Sequence, residues 1–230
     1  MQIILTHIKK MWEILCEVSL LKSIWFNIHY FPFNIAIRLP VFIYRHTSVS
    51  IGGRIDGGNL LKKTGLIRIG APHVGFINSR YNRTIWHQKG TLIVHGPCEF
   101  GSGCKVCIGK NALLSIGSHF MISGGTTIIC EKSIYFGDDC LLSWEIQLLD
   151  TDYHTIRDEK GVITNHPKEI RIENHVWIGS RSTILKGTYI NSGCIVASGS
   201  IVSGHLNKEK TVYACQGKII KELKNSITWE

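Results

Sequence analysis

The sequence predicts an all-β solenoid, and three observations carry that prediction. Between residues 172 and 204, aliphatic residues recur every six positions, at Ile172, Ile178, Ile184, Ile190, Val196 and Val202. A small or β-branched residue follows each of the first five by four, at Val176, Ser182, Thr188, Cys194 and Ser200. Gly179, Gly187, Gly193 and Gly199 punctuate the same stretch. A helix repeats its apolar residues at three and four and a half-buried strand at two, so a period of six calls for one short strand plus one corner. Three such repeats close a triangular coil of about 18 residues, which stacks on its neighbours because a single coil cannot bury its apolar edge. The glycines suit the corners, where lack of a Cβ opens backbone angles that other residues avoid.

Residues 1–45 read as an N-terminal extension, helical and irregular. Trp12, Leu15, Val18 and Leu21, with Ile14 and Leu20, give an amphipathic pattern that Pro32 and Pro40 interrupt. The uncharged run from Ser23 to Ile37 is too short and too polar for a membrane span. Its aromatic residues (Trp25, Phe26, Tyr30, Phe31 and Phe33), beside Lys22, Arg38 and Arg45, suit an end cap, a subunit contact, or a peripheral membrane contact through residues 20–45.

Residues 46–206 are assigned to the solenoid. It opens raggedly, with Val49-Ser50-Ile51-Gly52 and Ile67-Arg68-Ile69-Gly70, and loses its period from Ala71 to Gly90. A loop near 71–90 is expected there, with Arg80, Arg83, Trp86 and His87 open to a sugar or serving structure. The period then returns at Ile116, Ile122, Ile128, Ile134, Cys140 and Ile146, after a slip of eight from Ile108; Phe136 to Leu141 also reads as a repeat in a second phase. Between Leu149 and Ile170 the pattern stops again. The loop near 150–170 holds Asp150, Asp152, His154, Arg157, Asp158, His166 and Pro167, and loops on repeat scaffolds tend to carry function. Residues 207–230 form a basic tail (Lys208, Lys210, Lys218, Lys221 and Lys224) in which Lys218 to Leu223 is expected to start a short helix.

The length of 230 residues and 44% hydrophobic content suit one domain with extensions. A net charge of +9 favours anionic partners such as phosphorylated cofactors or an anionic membrane face, or serves solubility alone; no nucleic-acid recognition motif accompanies it. Lys9 and Lys10 follow the first apolar residues instead of preceding them, and no small-residue cleavage site follows. The expectation is therefore a cytoplasmic chain with reduced thiols. Cys104-Lys105-Val106-Cys107 lacks a second ligand pair, so the eight cysteines read as small side chains, most of them buried, and no metal is expected.

The run Asn174-His175-Val176-Trp177-Ile178-Gly179-Ser180, with Thr151-Asp152-Tyr153-His154 upstream, resembles the hexapeptide-repeat acyltransferases, above all the maltose, galactoside and polysaccharide O-acetyltransferases. The resemblance covers roughly residues 92–221. It implies a left-handed parallel β-helix, acetyl-CoA as donor, no metal, and a sugar or glycan acceptor of the cell-surface polysaccharide kind. It also implies a homotrimer with each active site between two subunits. Acyl transfer to a hydroxyl needs a base, an oxyanion donor and a slot for the coenzyme. By position in the family motif His154 is the base, with His166 the fallback, and Ser180 supports the oxyanion. Asp150 or Asp152 orients the imidazole, or caps the turn into the loop. Trp177 walls the donor slot, Ser198 and Ser203 contact the coenzyme, and Lys218 and Lys221 meet its phosphates. The turn Ala214-Cys215-Gln216-Gly217 lacks the proline that the family carries there. Competing readings are an N-acetyltransferase acting on an amino sugar and a non-catalytic scaffold or carbohydrate-binding module. A zinc carbonic anhydrase on the same fold is disfavoured, because no two histidines are spaced five apart.

Overall fold

The structure, a computed structural model, describes residues 17–223; Trp12, Ile14, Leu15 and Lys224 of the patterns above lie outside the described residues. Three parallel sheets form the faces of a triangular prism. The first sheet runs from Val41–Ile43 to Thr211–Tyr213, the second from Thr47–Ser50 to Ile201–Val202, and the third from Arg54–Asp56 to His205–Leu206. The period of six is explained by the register. Ile172 pairs with Ile190 on the third sheet, Ile178 with Val196 on the first and Ile184 with Val202 on the second, so successive repeats land on successive faces. All six side chains are buried, and the members of each pair stand three repeats apart in sequence.

The corners repeat on the same period. His175, Arg181, Gly187, Gly193 and Gly199 all lie in the left-handed region, at φ of 56°, 59°, 77°, 70° and 72°. Gly179 is needed for a different reason: a Cβ there would sit 2.6 Å from the backbone nitrogen of Ser198 in the next coil.

The earlier coils are wider. Phe100 pairs with Ile122 and Ile122 with Leu142, and both intervals are longer than the one from Ile178 to Val196. The added length lies partly in the third sheet, whose strands here bury two residues each: Leu114 with Ile116, then Ile134 with Phe136. The second-phase repeat therefore takes over at Phe136. Leu142 and Leu148 fill the strand columns, while Cys140 and Ile146 are buried just ahead of those strands. The wider perimeter accommodates a file of aromatic rings. Trp86, Phe100, Phe120 and Phe136 stack up the interior at centroid separations of 5.0, 5.7 and 4.7 Å. Truncating any one of them should cost about 3–5 kcal/mol.

Trp86 is thus a correction. It lies inside the strand Thr84–Gln88, fully buried, and donates its indole N–H to the Gln88 Oε1 at 3.1 Å. Only residues 72–83 leave the coil, so Trp86 is not available to a sugar. The alternation Thr84-Ile85-Trp86-His87-Gln88 places polar Thr84 and Gln88 inside and Ile85 outside, which hid the strand from a hydrophobic reading.

Both ends of the prism are closed. The solenoid starts at Val41, ahead of the expected boundary at residue 46, under a helix α1 of Leu20–Tyr30. That helix turns polar groups onto the first coil. Asn27 donates to the Val41 carbonyl at 2.7 Å and accepts from the Val41 N–H at 3.1 Å; the Ser23 hydroxyl accepts from the Ile43 N–H at 2.9 Å; and Tyr30 donates to the Gly52 carbonyl at 2.7 Å. These bonds satisfy backbone groups that a bare end coil would leave open. At the other end the expected helix from Lys218 does not form. Ile219–Glu222 is a strand that returns antiparallel to Thr211–Tyr213, with Lys221 opposite Val212. The last coil offers an unpaired strand edge, and the neighbouring β-branched Ile219 and Ile220 suit a strand there better than a helix.

Candidate active site

The chain leaves the second sheet after Leu149 and joins the third at Ile170. Asp150 closes the neck of this loop. Fully buried, its carboxylate accepts from the Glu131 and Lys132 N–H groups, each at 2.8 Å, and its carbonyl accepts from the Lys168 N–H at 3.0 Å. Asp150 is therefore a turn cap on the coil beneath.

Asp152 is held otherwise. Its carboxylate pairs with the Lys186 ammonium and accepts from Asn165 Nδ2 at 2.8 Å. The same Asn165 nitrogen donates to the His154 carbonyl at 2.7 Å, and Lys186 donates to the Asn165 carbonyl at 3.0 Å. The Lys186 hydrogen bond, with that of Asn165, holds the Asp152 carboxyl below the usual carboxylate range. Together these groups clamp the turn of residues 152–154, in which Tyr153 takes a left-handed φ of 59°. His154 itself is exposed, and its imidazole has no hydrogen-bond partner among the described residues. The expectation that Asp150 or Asp152 orients the imidazole directly is corrected: both carboxylates are engaged elsewhere, and Asp152 acts on the backbone of the turn. His166 is exposed on the returning limb of the loop.

Tyr153 lies back across the outer face of the second sheet, in a cleft of about 160 Å³ that Ile85, His87, Cys107 and Ile129 also line. Burial there, and then Cys107, push the phenol up to about 12, so it stays a hydrogen-bond donor at neutral pH. The two thiols of the Cys104–Cys107 pair are set differently: Cys104 is buried and pushed up to about 12, whereas Cys107 is partly exposed and belongs to this cleft. Cys98, Cys130, Cys140 and Cys194 are buried, and burial raises all four thiols. Cys215 is exposed.

The remaining candidates divide between two edges of the second sheet. Ser180 and Ser198 stack at the edge shared with the first sheet, with hydroxyls 3.4 Å apart. Trp177 stands on the outer face of the first sheet and donates to the Ser143 hydroxyl at 3.0 Å. In register with it run Ile195, Val212 and Lys221, so Lys221 shares its column, while exposed Lys218 follows the turn Cys215–Gly217. A cleft of about 400 Å³ opens at this edge beneath residues 72–83, lined by Phe76, Ile77, Arg83, Lys105 and Glu145 among others. Ser203 follows the strand Ile201–Val202 and lies at the opposite edge, where the loop bearing His154 departs. His154, Asp152 and Ser203 are thus at one edge, and Ser180, Ser198 and the Trp177 column at the other.

Lys186 and Asn165 are the site residues that sequence reasoning missed. Lys186 occupies an ordinary repeat position far along the chain from Asp152, and Asn165 is one polar residue among many in the loop, so neither carried a local signal.

Comparison with known proteins follows the same lines. Residues 169–204 match the bacterial transferase hexapeptide family (six repeats). A polysialic acid O-acetyltransferase of Neisseria meningitidis is 35% identical over 99 residues, covering 42% of this chain and 46% of the relative. The galactoside O-acetyltransferase of Escherichia coli K12 is 27% identical over 133 residues, covering 56% of this chain and 60% of the relative. The chain thus spans about half the length of these relatives. Among solved structures, the polySia-specific acetyltransferase NeuO superimposes with a TM-score of 0.53 at 22% identity, over 80% of this chain and 72% of NeuO. That likeness is one of fold, the left-handed parallel β-helix. Residues 169–204 thus carry the six-residue repeat of the bacterial transferase hexapeptide family, on a solenoid whose fold is like that of NeuO.

Proposed function

We propose that the chain transfers an acetyl group from acetyl-CoA to a sugar hydroxyl of a glycan, with His154 as general base. The observation that carries this reading is the exposed, unpartnered His154 imidazole on a turn clamped by Asp152, Asn165 and Lys186, beside a cleft. A neutral imidazole takes the hydroxyl proton as the oxygen attacks the thioester carbonyl. The tetrahedral oxyanion receives hydrogen bonds from Ser180, through its hydroxyl or backbone N–H. Collapse breaks the C–S bond, and the imidazolium returns the proton to the departing coenzyme thiolate. Asp152 is a positioning residue, acting through Asn165 and the turn. Trp177 walls the donor slot, Ser198 and Ser203 line the path of its pantetheine arm, and Lys218 and Lys221 pair with its phosphates.

The two groups occupy opposite edges of one sheet, so a complete site is proposed to form between two copies, in a homotrimer working on the cytoplasmic side of polysaccharide assembly. The polysialic acid and galactoside O-acetyltransferase relatives support the reaction and the acceptor class. Calorimetric titration with acetyl-CoA, paired with thiol release on a panel of glycans, tests the proposal. Coenzyme binding that survives His154→Ala while glycan-dependent release is lost supports it. No binding at millimolar acetyl-CoA in the unmodified chain would sink it.

A further inference from the structure

Helix α1 turns Ser23, Phe26, Asn27 and Tyr30 onto the first coil, Phe26 being its one fully buried apolar side chain, and leaves Leu21, Ile24, Trp25 and Ile28 on the surface. Leu21 is 84% exposed, Ile28 61% and Trp25 50%, with Ile24 beside them. The short helix that follows, Phe33–Ala36, extends the patch: Phe33 is 77% exposed and Ile37, just past it, 66%. At 100° per residue, Ile24, Ile28, Leu21 and Trp25 span an arc of about 100°, with His29 and Lys22 on its flank. A cap on a water-soluble prism has no reason to present that arc outward, since burying it would have been favourable.

Charge says what covers it. From Val18 to Ile55 the chain has no acidic residue, although it carries 17 acids in 230 residues. The same run holds Lys22, Arg38, Arg45 and Arg54. Arg38 and Arg45 are exposed and have no acidic partner among the described residues, whereas Arg54 is paired with Asp56. Two copies meeting face to face across this patch would oppose one basic rim to another with few acids to pair them: Glu17, whose carbonyl accepts from the Arg45 N–H, and Asp56, which already pairs with Arg54. A layer of anionic headgroups supplies the missing charge, and Trp25 and Phe33 are residue types that settle at the headgroup level. No described helix is long and apolar enough to cross a membrane, so the contact is one that lies on the surface.

We propose that this N-terminal cap docks the protein onto an anionic lipid bilayer, with α1 in the interfacial plane. The inference goes beyond the acetyl-transfer reading, and its readout involves no acyl transfer, so either can fail alone. The test is flotation of the full chain with vesicles of phosphatidylcholine alone or mixed equally with phosphatidylglycerol. Binding to the anionic vesicles is expected to fall about tenfold or more in roughly 0.5 M salt, in Ile28→Glu, and in the double variant Arg38→Glu, Arg45→Glu. Light scattering should give the same particle mass for Ile28→Glu as for the unmodified chain. Quenching by brominated lipid, taken as the difference between the unmodified chain and Trp25→Phe, reads the same contact without a destabilising change. Absence of binding to anionic vesicles at about 5 mM lipid overturns the proposal. So does binding indifferent to these substitutions. A smaller particle for Ile28→Glu, showing a second copy on the face, overturns it as well.

Discussion

Residues 170–206 and the loop of residues 150–169 adjoin in sequence and are built on opposite plans. In the coils each inward side chain, such as Ile172, Ile178 or Ile184, is almost wholly buried beneath an equivalent from the next coil. In the loop every residue from Asp152 to Gly161 is exposed, and order comes from polar bonds: the Asp152, Asn165 and Lys186 clamp and the Asp158 cap on its hairpin. Apolar burial thus holds the coils, and directed hydrogen bonds hold the loop. Stability and chemistry should therefore be separable by substitution, and Lys186, a coil residue that grips the loop, is where they meet.

The largest effect expected is on the loop side. His154→Ala should lower kcat by about 10²–10⁴-fold, the usual contribution of a positioned base, with thermal stability unchanged. A loss of stability of similar size to a coil substitution would show that the imidazole is structural. Next comes the coil: Ile178→Ala should cost about 2–5 kcal/mol in denaturant titrations while the rate per folded molecule survives.

Lys186→Met tests the junction. Loosening the turn should lower the rate about ten- to a hundredfold through misplacement of the base, with thermal stability little changed because Asp152, the partner released, lies on the exposed loop and the methionine keeps the apolar stem of the half-buried Lys186. Its pH signature has a definite sign. The folded Asp152 carboxyl titrates below its unfolded value, so the clamp is fully present above the ordinary carboxylate range and is lost as pH falls through the depressed value. Removing Lys186 should move that loss upward, toward the ordinary range, as read by proteolysis of the loop against pH. The smallest effect is at a corner: Gly193→Ala forces a side chain into a φ of 70° and should cost about 1–2 kcal/mol without changing kinetics.

How legible each region was follows from how it is held. The late coils could be read residue by residue because a buried column imposes its period on the sequence: Ile178 and Val196 pair as their spacing implied. The early coils were less legible. Their strands bury Thr84, Trp86 and Gln88 while exposing Ile85, and their turns are longer than three repeats of six, so hydrophobicity and phase both mislead. The C-terminal strand was misread as a helix because what decides it, the open edge of Thr211–Tyr213, is supplied by another segment. The loop was legible as a place and as a histidine, and not as an arrangement.

The sequence by itself determined the solenoid, its corner period and the loop that interrupts it, because each is a local pattern repeated under the same steric rule. Only the tertiary structure decided that Asp150 caps a turn, that Asp152 grips Lys186, and that Ser198 and Ser203 stand at opposite edges of one sheet. Those are pairings between residues far apart in the chain. Which partner a carboxylate or hydroxyl finds depends on the coil stacked beneath or above it, and a periodicity that treats every coil alike carries no record of that choice.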